Sequence, residues 1–325
     1  MMNINRRTAL LLALAPTLAP IWGRAADYPT KPIRLIVPYA PGGGADAVAR
    51  VLARHVGDAL GQSIVVENRG GAGSIIGTEM VAKAEPDGYM LLLGQSGPIS
   101  INPAVYKTLP YDPAKDLVPI TMTNSYPYVL VVNARLGAQS LQEFVALGKA
   151  KPGSMNYGTT GVGAANHLMS ELFCRETGLK MTHIPYRGTA LAVADLVAGQ
   201  VTMVFSDPVS ALPHIQAGTL RALAVTSPQR SPVTPNVPTM TEAGYPKVEA
   251  VAWHGIFSPA GTPQPIIDKL NAELVKALRK PDIDDLLAKQ AMQPVGSSPQ
   301  EFAAFLRKDI ATWKEVATAA NVSVE

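Results

Sequence analysis

The chain has 325 residues, 47% hydrophobic and 16% charged, with 28 basic residues against 25 acidic. That composition supports a packed core and its length suits about two domains; it excludes a disordered chain of low hydrophobicity and high charge. Three of the 28 basic residues and none of the 25 acidic ones fall within the first 25 positions, so beyond them the charges balance. A near-neutral body excludes nucleic acid or an anionic membrane as an electrostatic partner, and any anion must be held by local geometry.

The first 25 residues read as an export signal. Arg6 and Arg7 precede an apolar stretch from Leu10 to Pro20, and Gly23-Arg24-Ala25 offers small residues for cleavage. The stretch is well short of the roughly 20 residues of a membrane span. Paired arginines followed by Thr8-Ala9-Leu10-Leu11 also permit the twin-arginine route, although that motif is incomplete and the ordinary secretory route is expected. Cys174 is the single cysteine, so no internal disulfide forms. Its helical spacing with Leu168 and Leu172 reads as a small buried apolar residue. With no cysteine at the end of the leader to take a lipid, the protein is expected free in the periplasm.

The apolar run Ile33 to Val37 predicts a buried strand, followed by a glycine-rich turn and a helix with Val48, Leu52, Val56 and Leu60 on one face. The plan repeats with a strand at Ile64 to Glu67, a second glycine turn, a helix, the turn Pro86-Asp87-Gly88 and a strand at Tyr89 to Leu93. Such alternation predicts a parallel, doubly wound sheet with ligands at the carboxyl ends of its strands. Two β-rich stretches, 118–125 and 128–135, then follow each other without a helix, which suits a crossing between domains. Alternation resumes with a strand at 155–158, the turn 159–163 and a helix from Ala164 to Thr177. Next come strand 182–186, helix Ala190 to Ala198, strand 201–205, helix Val209 to Ala217 and strand 220–226. Residues 249–257 read as a second crossing strand, and three helices close the chain. The last begins with a capping box at Ser298-Pro299-Gln300-Glu301, and its Phe302, Phe305, Leu306, Ile310 and Trp313 face the body. The expected fold is therefore α/β: two doubly wound lobes joined by a hinge, with residues 26–127 plus 250–325 in lobe 1 and 128–249 in lobe 2.

The chemistry is expected in a matched pair of glycine turns, residues 38–46 and 157–167, each following a strand and opening a helix. Free N–H groups and the helix dipole make such a turn a site for a carboxylate or phosphate, and glycine lets the ligand approach the backbone. A third turn, 68–78, has the same character. Each turn taken alone is equally well explained as a tight strand-to-helix connection. His167, in the first turn of its helix, either faces the cleft or packs within its own domain. Asp46 and Asp207, just after strands, either meet a ligand amino or hydroxyl group or cap helices, and capping is the better reading for Asp46.

Catalytic patterns fare worse. Gly42 to Ala47 fits G-x-G-x-x-A and Glu67 ends the next strand at dinucleotide-site spacing, but Pro38 and Pro41 stiffen the turn and an exported protein meets no nicotinamide pool. No phosphate loop is present, the Gly94 to Pro98 segment lacks the last glycine of a hydrolase elbow, and the five histidines never fall at H-x-x-x-H spacing. No enzyme activity, cofactor or metal is expected.

Segments spread over nearly the whole mature chain resemble the Bug-type solute-binding receptors of tripartite tricarboxylate transporters. They include YPTKPIRLIVPYAPGGGAD, VVENRGGAGSIIGTEMVAKAEPDGY, YGTTGVGAANHLMSELF, HIPYRGTALAVADLVAGQV and WHGIFSPAGTP. The resemblance implies a monomeric two-lobe receptor of the type II binding-protein fold, which grips one ligand carboxylate between loop N–H groups of the two lobes. Organic acids, acidic amino acids and aromatic acids are the ligand classes it implies. Carried over, the first-lobe contacts are Tyr39, Ala40, Pro41, Gly42, Gly43, Gly44, Gly73 and Ser74, with Ser96 nearby. The second-lobe contacts are Thr159, Thr160, Gly161, Val162 and Gly163, flanked by His167 and Tyr186. The family commonly places an aspartate directly after the phenylalanine of MVF; here Ser206 takes that place and the acid is Asp207. Ala164 and Ala165 stand where hydroxyl or proline residues are frequent. Implied partners are the permease subunits of such a transporter or, alternatively, a sensor kinase.

Overall fold

The computed structural model describes residues 28–39 and 41–324. The first 25 residues, expected to be an export signal, and Ala40 lie outside the described residues. Two sheets organise the molecule. Strands β1 (Ile33–Val37), β2 (Ile64–Asn68), β3 (Met90–Gln95), β4 (Leu117–Pro127), β10 (Val251–Pro259) and β11 (Gln293–Pro294) form the first, in the order β11-β4-β10-β3-β1-β2. The second, β7-β6-β8-β5-β9, is built from β5 (Val129–Asn133), β6 (Met155–Thr159), β7 (Met181–Pro185), β8 (Met203–Ser206) and β9 (Leu220–Val225).

The expected parallel pairing holds for β1 with β2 and β3, and for β6 with β7 and β8. It fails at the crossing strands: β10 runs antiparallel to both β3 and β4, and β5 antiparallel to both β8 and β9. The reason is topological. A strand that enters a lobe directly from the other lobe has no crossover helix behind it, and only a crossover returns the chain to run parallel. The two-residue strand β11 was not foreseen either, being too short to carry a periodicity.

Helices cover both faces. The first sheet carries α1 (Gly44–Leu60), α2 (Ile75–Ala82), α9 (Gln264–Leu278) and α10 (Pro281–Lys289); the second carries α5 (Leu141–Ala150), α6 (Ala165–Thr177), α7 (Thr189–Ala198) and α8 (Pro208–Gln216). Their apolar faces are buried: Val48, Leu52 and Val56 of α1 are each 1% exposed, packed with Leu35, Leu91 and Leu270. At about 1.5–3 kcal/mol per fully buried aliphatic side chain, such faces dominate the stability of each lobe.

Two regions hold the lobes together. At the hinge, Tyr128 of the first crossing and Thr226, just after β9, meet Ala250 at the start of the second crossing. The Thr226 N–H donates to the Tyr128 carbonyl at 3.0 Å, and its Oγ1 accepts from the Tyr128 N–H at 2.9 Å. That hydroxyl donates onward to the Ala250 carbonyl at 2.6 Å, while the Ala250 N–H returns a bond of 3.1 Å to the Thr226 carbonyl. The second region is α11 (Pro299–Ala319), opened by the capping box in which Ser298 Oγ accepts from the Glu301 N–H. Its first half drives Phe302 and Leu306 into the core around Trp253 and Phe257, and the Trp253 indole N–H donates to Asp309 at 2.9 Å. Its second half places Trp313, Val316 and Ala317 in the core of the second sheet. Ile101, and Val105 of the short helix α3 (Asn102–Val105), join that same core although both precede the hinge in sequence.

Candidate functional site

The three glycine turns gather at one place. The first and third abut: a Cβ on Gly77 would stand 2.9 Å from Pro38 Cβ, and the Arg69 N–H donates to the Val37 carbonyl at 2.8 Å. The Tyr39 phenol lies against Ser74. The third turn rests on α3, where the Gly73 carbonyl accepts from Asn102 Nδ2 at 3.1 Å and a Cβ on Gly73 would stand 2.9 Å from Tyr106 Oη. The second-lobe turn rests on the other side of the same short segment. A Cβ on Gly163 would meet Val324 at 2.9 Å and Val105 at 3.2 Å, and the Val324 N–H donates to the Val105 carbonyl at 2.7 Å. Residues 102–106 with Val324 therefore form a strip touched by turns from both lobes.

Within the turns, side chains of the following helix claim part of the amide supply. In the first, the Gly42 N–H donates to Asp46 Oδ2 at 2.9 Å, and Asp46 pairs with Arg50 one helical turn on. That Arg50 bond holds the Asp46 carboxyl below its ordinary range, so this acid braces the turn. In the second, the Gly163 N–H donates to His167 Nδ1 at 3.1 Å, the Thr160 N–H to Asn166 Oδ1 at 3.1 Å and the Gly161 N–H to Thr159 Oγ1 at 3.2 Å. Among the described residues no acceptor is found for the N–H of Val162, whose side chain is 54% exposed. The first-turn amides of Gly44 and Ala45 in α1, and of Ala165 and Asn166 in α6, are helix starts without an intrahelical partner. With the two helix dipoles behind them, these are the donors the site offers an anion.

The flanking residues divide. His167 is buried at 5% exposure and stacks on His183 at 4.0 Å, itself stacked on Tyr157 at 5.3 Å. Burial, helped by His183, lowers the His167 pKa to about 4. Of the two readings open for this residue, the ring takes packing within its own lobe. Tyr186 sends its hydroxyl to Asp195 at 2.8 Å, and its N–H donates to the Thr159 carbonyl at 2.9 Å. Asp207 is the N-cap of α8, accepting from the Ser210 N–H at 2.8 Å and the Ser210 hydroxyl at 3.1 Å. Ser96 is buried at the end of β3. Pro41, Gly42, Gly43 and Gly73 are exposed, and Ser74 is buried in a left-handed backbone conformation.

Sequence reasoning missed the hinge tyrosines. Tyr126 and Tyr128 stand with ring centroids 6.4 Å apart, and both feel the charge of Asp207; Tyr126 and Tyr39 lie close enough to influence each other. Burial raises all three phenols well above their ordinary range, so each is a neutral donor at neutral pH. Their signal was present in Tyr126-Pro127-Tyr128, a proline-broken aromatic pair at the crossing itself. Beneath them the buried His254 has Gln95 Nε2 2.6 Å from its Nε2 and the Asn124 amide 2.9 Å from its Nδ1, and burial lowers its pKa to about 4. A further groove of about 710 Å³, between the crossing strands and α11, is lined by Tyr126, Pro228, Val251, Phe302 and Phe305.

Other chemistry finds no footing. Glu67, the residue a nucleotide ribose would need, is held by Arg34 at 2.6 Å and by Arg69, which together draw its pKa down to about 2. Burial pushes the Cys174 thiol up to about 12, so it is not a nucleophile at neutral pH. Among the described residues no group of three His, Cys, Asp or Glu side chains is placed to hold a metal ion, and no helix is long and apolar enough to cross a membrane.

Residues 48–322 match the model of the tripartite tricarboxylate transporter family receptor. Protein BugT of Bordetella pertussis is 40% identical over 319 residues, covering 97% of each chain. Among solved structures, Rpa4515 of R. palustris with adipate is 34% identical, with a TM-score of 0.78 over 91% of this chain and 99% of that one. MatC from Rhodopseudomonas palustris with bound malate is 32% identical, with a TM-score of 0.74 over 89% and 99%. These likenesses run through both lobes and both crossings, and the matching family is one of receptors, which leaves the dinucleotide reading of the Gly42 turn without support. The chain belongs to the tripartite tricarboxylate transporter receptor family.

Proposed function

We propose that the protein is a periplasmic solute-binding receptor that captures a small organic acid, with a dicarboxylate the first choice, and presents it to the permease subunits of a tripartite tricarboxylate-type transporter. The observation that carries this reading is the meeting of glycine turns from both lobes on one short strip, each opening a helix with unspent amides. One ligand carboxylate would take the Val162 N–H and the first-turn amides of α6 from one side, and the amides of Gly43, Gly44, Gly73 and Ser74 from the other. The remainder of the ligand would meet the neutral hydroxyls of Tyr39, Tyr126 and Tyr128. No lysine or arginine is needed, because aligned backbone donors and two helix dipoles supply the positive potential. Thr226 and Ala250 at the hinge would carry the closure, and binding would shift the population toward the closed form. Adipate and malate, bound in two related structures, support the ligand class.

The test is equilibrium denaturation with and without a panel of mono-, di- and tricarboxylates. A ligand at about 100 times its dissociation constant should add roughly 2.7 kcal/mol of stability. If no carboxylate in the panel stabilises the protein, the reading falls.

A further inference from the structure

His167 and Asp46 occupy corresponding places in the two lobes. Each lies four residues after a turn glycine, in the first turn of the following helix, and each accepts that glycine's N–H: Gly42 to Asp46 at 2.9 Å, Gly163 to His167 Nδ1 at 3.1 Å. The glycines carry φ of +87° and +76°, a region in which L side chains are strained, so neither turn is a default backbone path. In the second lobe a further histidine contributes. His183 Nε2 is 2.6 Å from Thr159 Oγ1, the atom that receives the Gly161 N–H. Two stacked rings thus hold opposite ends of one five-residue turn. Accepting at Nδ1 fixes His167 as the neutral tautomer with its proton on Nε2, and the nearest carboxylate, Glu171, lies 3.8 Å from Nε2 on the ring's other side. Glu171 is itself engaged by the Tyr157 hydroxyl.

We infer that His167 is a positioning residue for ligand capture: by taking the Gly163 N–H, with His183 securing Thr159, it fixes the second-lobe turn so that the Val162 N–H is left outward for the ligand. The inference rests on the proposed receptor function. Three amides of the turn, from Thr160, Gly161 and Gly163, are tied inward by side chains, and Val162, between the last two, is not. His167 touches no ligand; it decides which amide the ligand meets.

The experiment compares His167→Ala with His167→Asn, because the asparagine carbonyl oxygen occupies the place of Nδ1 and can accept the same N–H. Two quantities are measured on the full-length mature protein: hydrogen exchange at the Gly163 amide without ligand, and dissociation constants for adipate and malate. Wild type and His167→Asn should both protect the Gly163 amide and bind within a few-fold of each other. His167→Ala should lose the protection and bind about tenfold more weakly, the worth of one ordered hydrogen bond. Thermal melts of both variants identify any that fails to fold, in which case the asparagine variant alone decides. Unchanged protection and affinity in His167→Ala would overturn the inference, as would an asparagine variant that folds like wild type but protects and binds no better than alanine. If wild type binds neither probe, the carboxylate reading loses its support, and the exchange at Gly163 still decides whether the histidine holds the turn.

Discussion

Thr226→Val isolates the hinge. The side chain is fully buried, and valine keeps its shape while replacing the hydroxyl by a methyl group. Two bonds disappear: the one received from the Tyr128 N–H at 2.9 Å and the one given to the Ala250 carbonyl at 2.6 Å. The main-chain bonds from Thr226 N–H to the Tyr128 carbonyl and from the Ala250 N–H to the Thr226 carbonyl remain, so the strands stay together and both orphaned groups stay shielded from water. Each buried group left without a partner costs about 1–3 kcal/mol, and the pair is expected to cost about 2–6 kcal/mol. Thr226→Ser is the control: it keeps both bonds, loses one buried methyl and should cost only about 1 kcal/mol. Urea denaturation followed by tryptophan fluorescence suits the question, because Trp253 reports one core and Trp313 the other. A valine variant within about 0.5 kcal/mol of wild type, the range of an ordinary surface change, would refute the assignment of the hydroxyl as the hinge clasp.

Further predictions concern the site and its supports. Gly163→Ala places a Cβ 2.9 Å from Val324 at φ +76°, whereas Gly178→Ala meets nothing within 4 Å at φ +72°. Both should lose about 1–2 kcal/mol to backbone strain, but only the Gly163 variant should also bind adipate more weakly in a titration. Stability should fall with acid through buried histidines. His167 and His254 have folded pKa values near 4, below the 6.5 of an unfolded chain, so the unfolded state alone takes up protons as the pH drops through that window. Each therefore costs about 2.5 kcal/mol between pH 7 and pH 4.5, and the loss levels off below the folded value. Urea midpoints at the two pH values check this, and His254→Gln should remove its own share, about 2.5 kcal/mol, of the loss. Ser298→Ala deletes the side-chain acceptor of the Glu301 N–H and should cost about 1 kcal/mol, read as a lowered melting temperature.

Much of the fold was legible because local patterns suffice for it. Ile33 to Val37 emerges with the predicted bounds, and the helix read from Ala164 to Thr177 begins one residue later, at Ala165. The crossing at residues 117–133 was visible as two β stretches lacking a helix between them. What was not legible depends on partners far away in sequence. The antiparallel setting of β10 and β5 follows from strands that meet across more than 70 residues, and nothing local encodes that. At the site, the turns themselves were readable, but the direction of their amides was not. The same i to i+4 spacing that joins Gly42 to Asp46 also joins Gly163 to His167, and the histidine was placed among ligand contacts because its rotamer and its stacking on His183 cannot be seen in a sequence. Asp207 had been left open between ligand and cap; Ser210 three residues on marks the cap, a local cue that was available.

The double footing of α11 has a consequence for how the protein is made. The core around Phe144, Phe173 and Phe205 is closed on one side by Ile101 and Val105 and on another by Trp313, Val316 and Ala317. A fragment cut at the two crossings would expose that apolar wall and should be prone to aggregate, however complete its own sheet. The same dependence leaves this core unfinished until α11 is in place, so neither lobe completes its packing without the other.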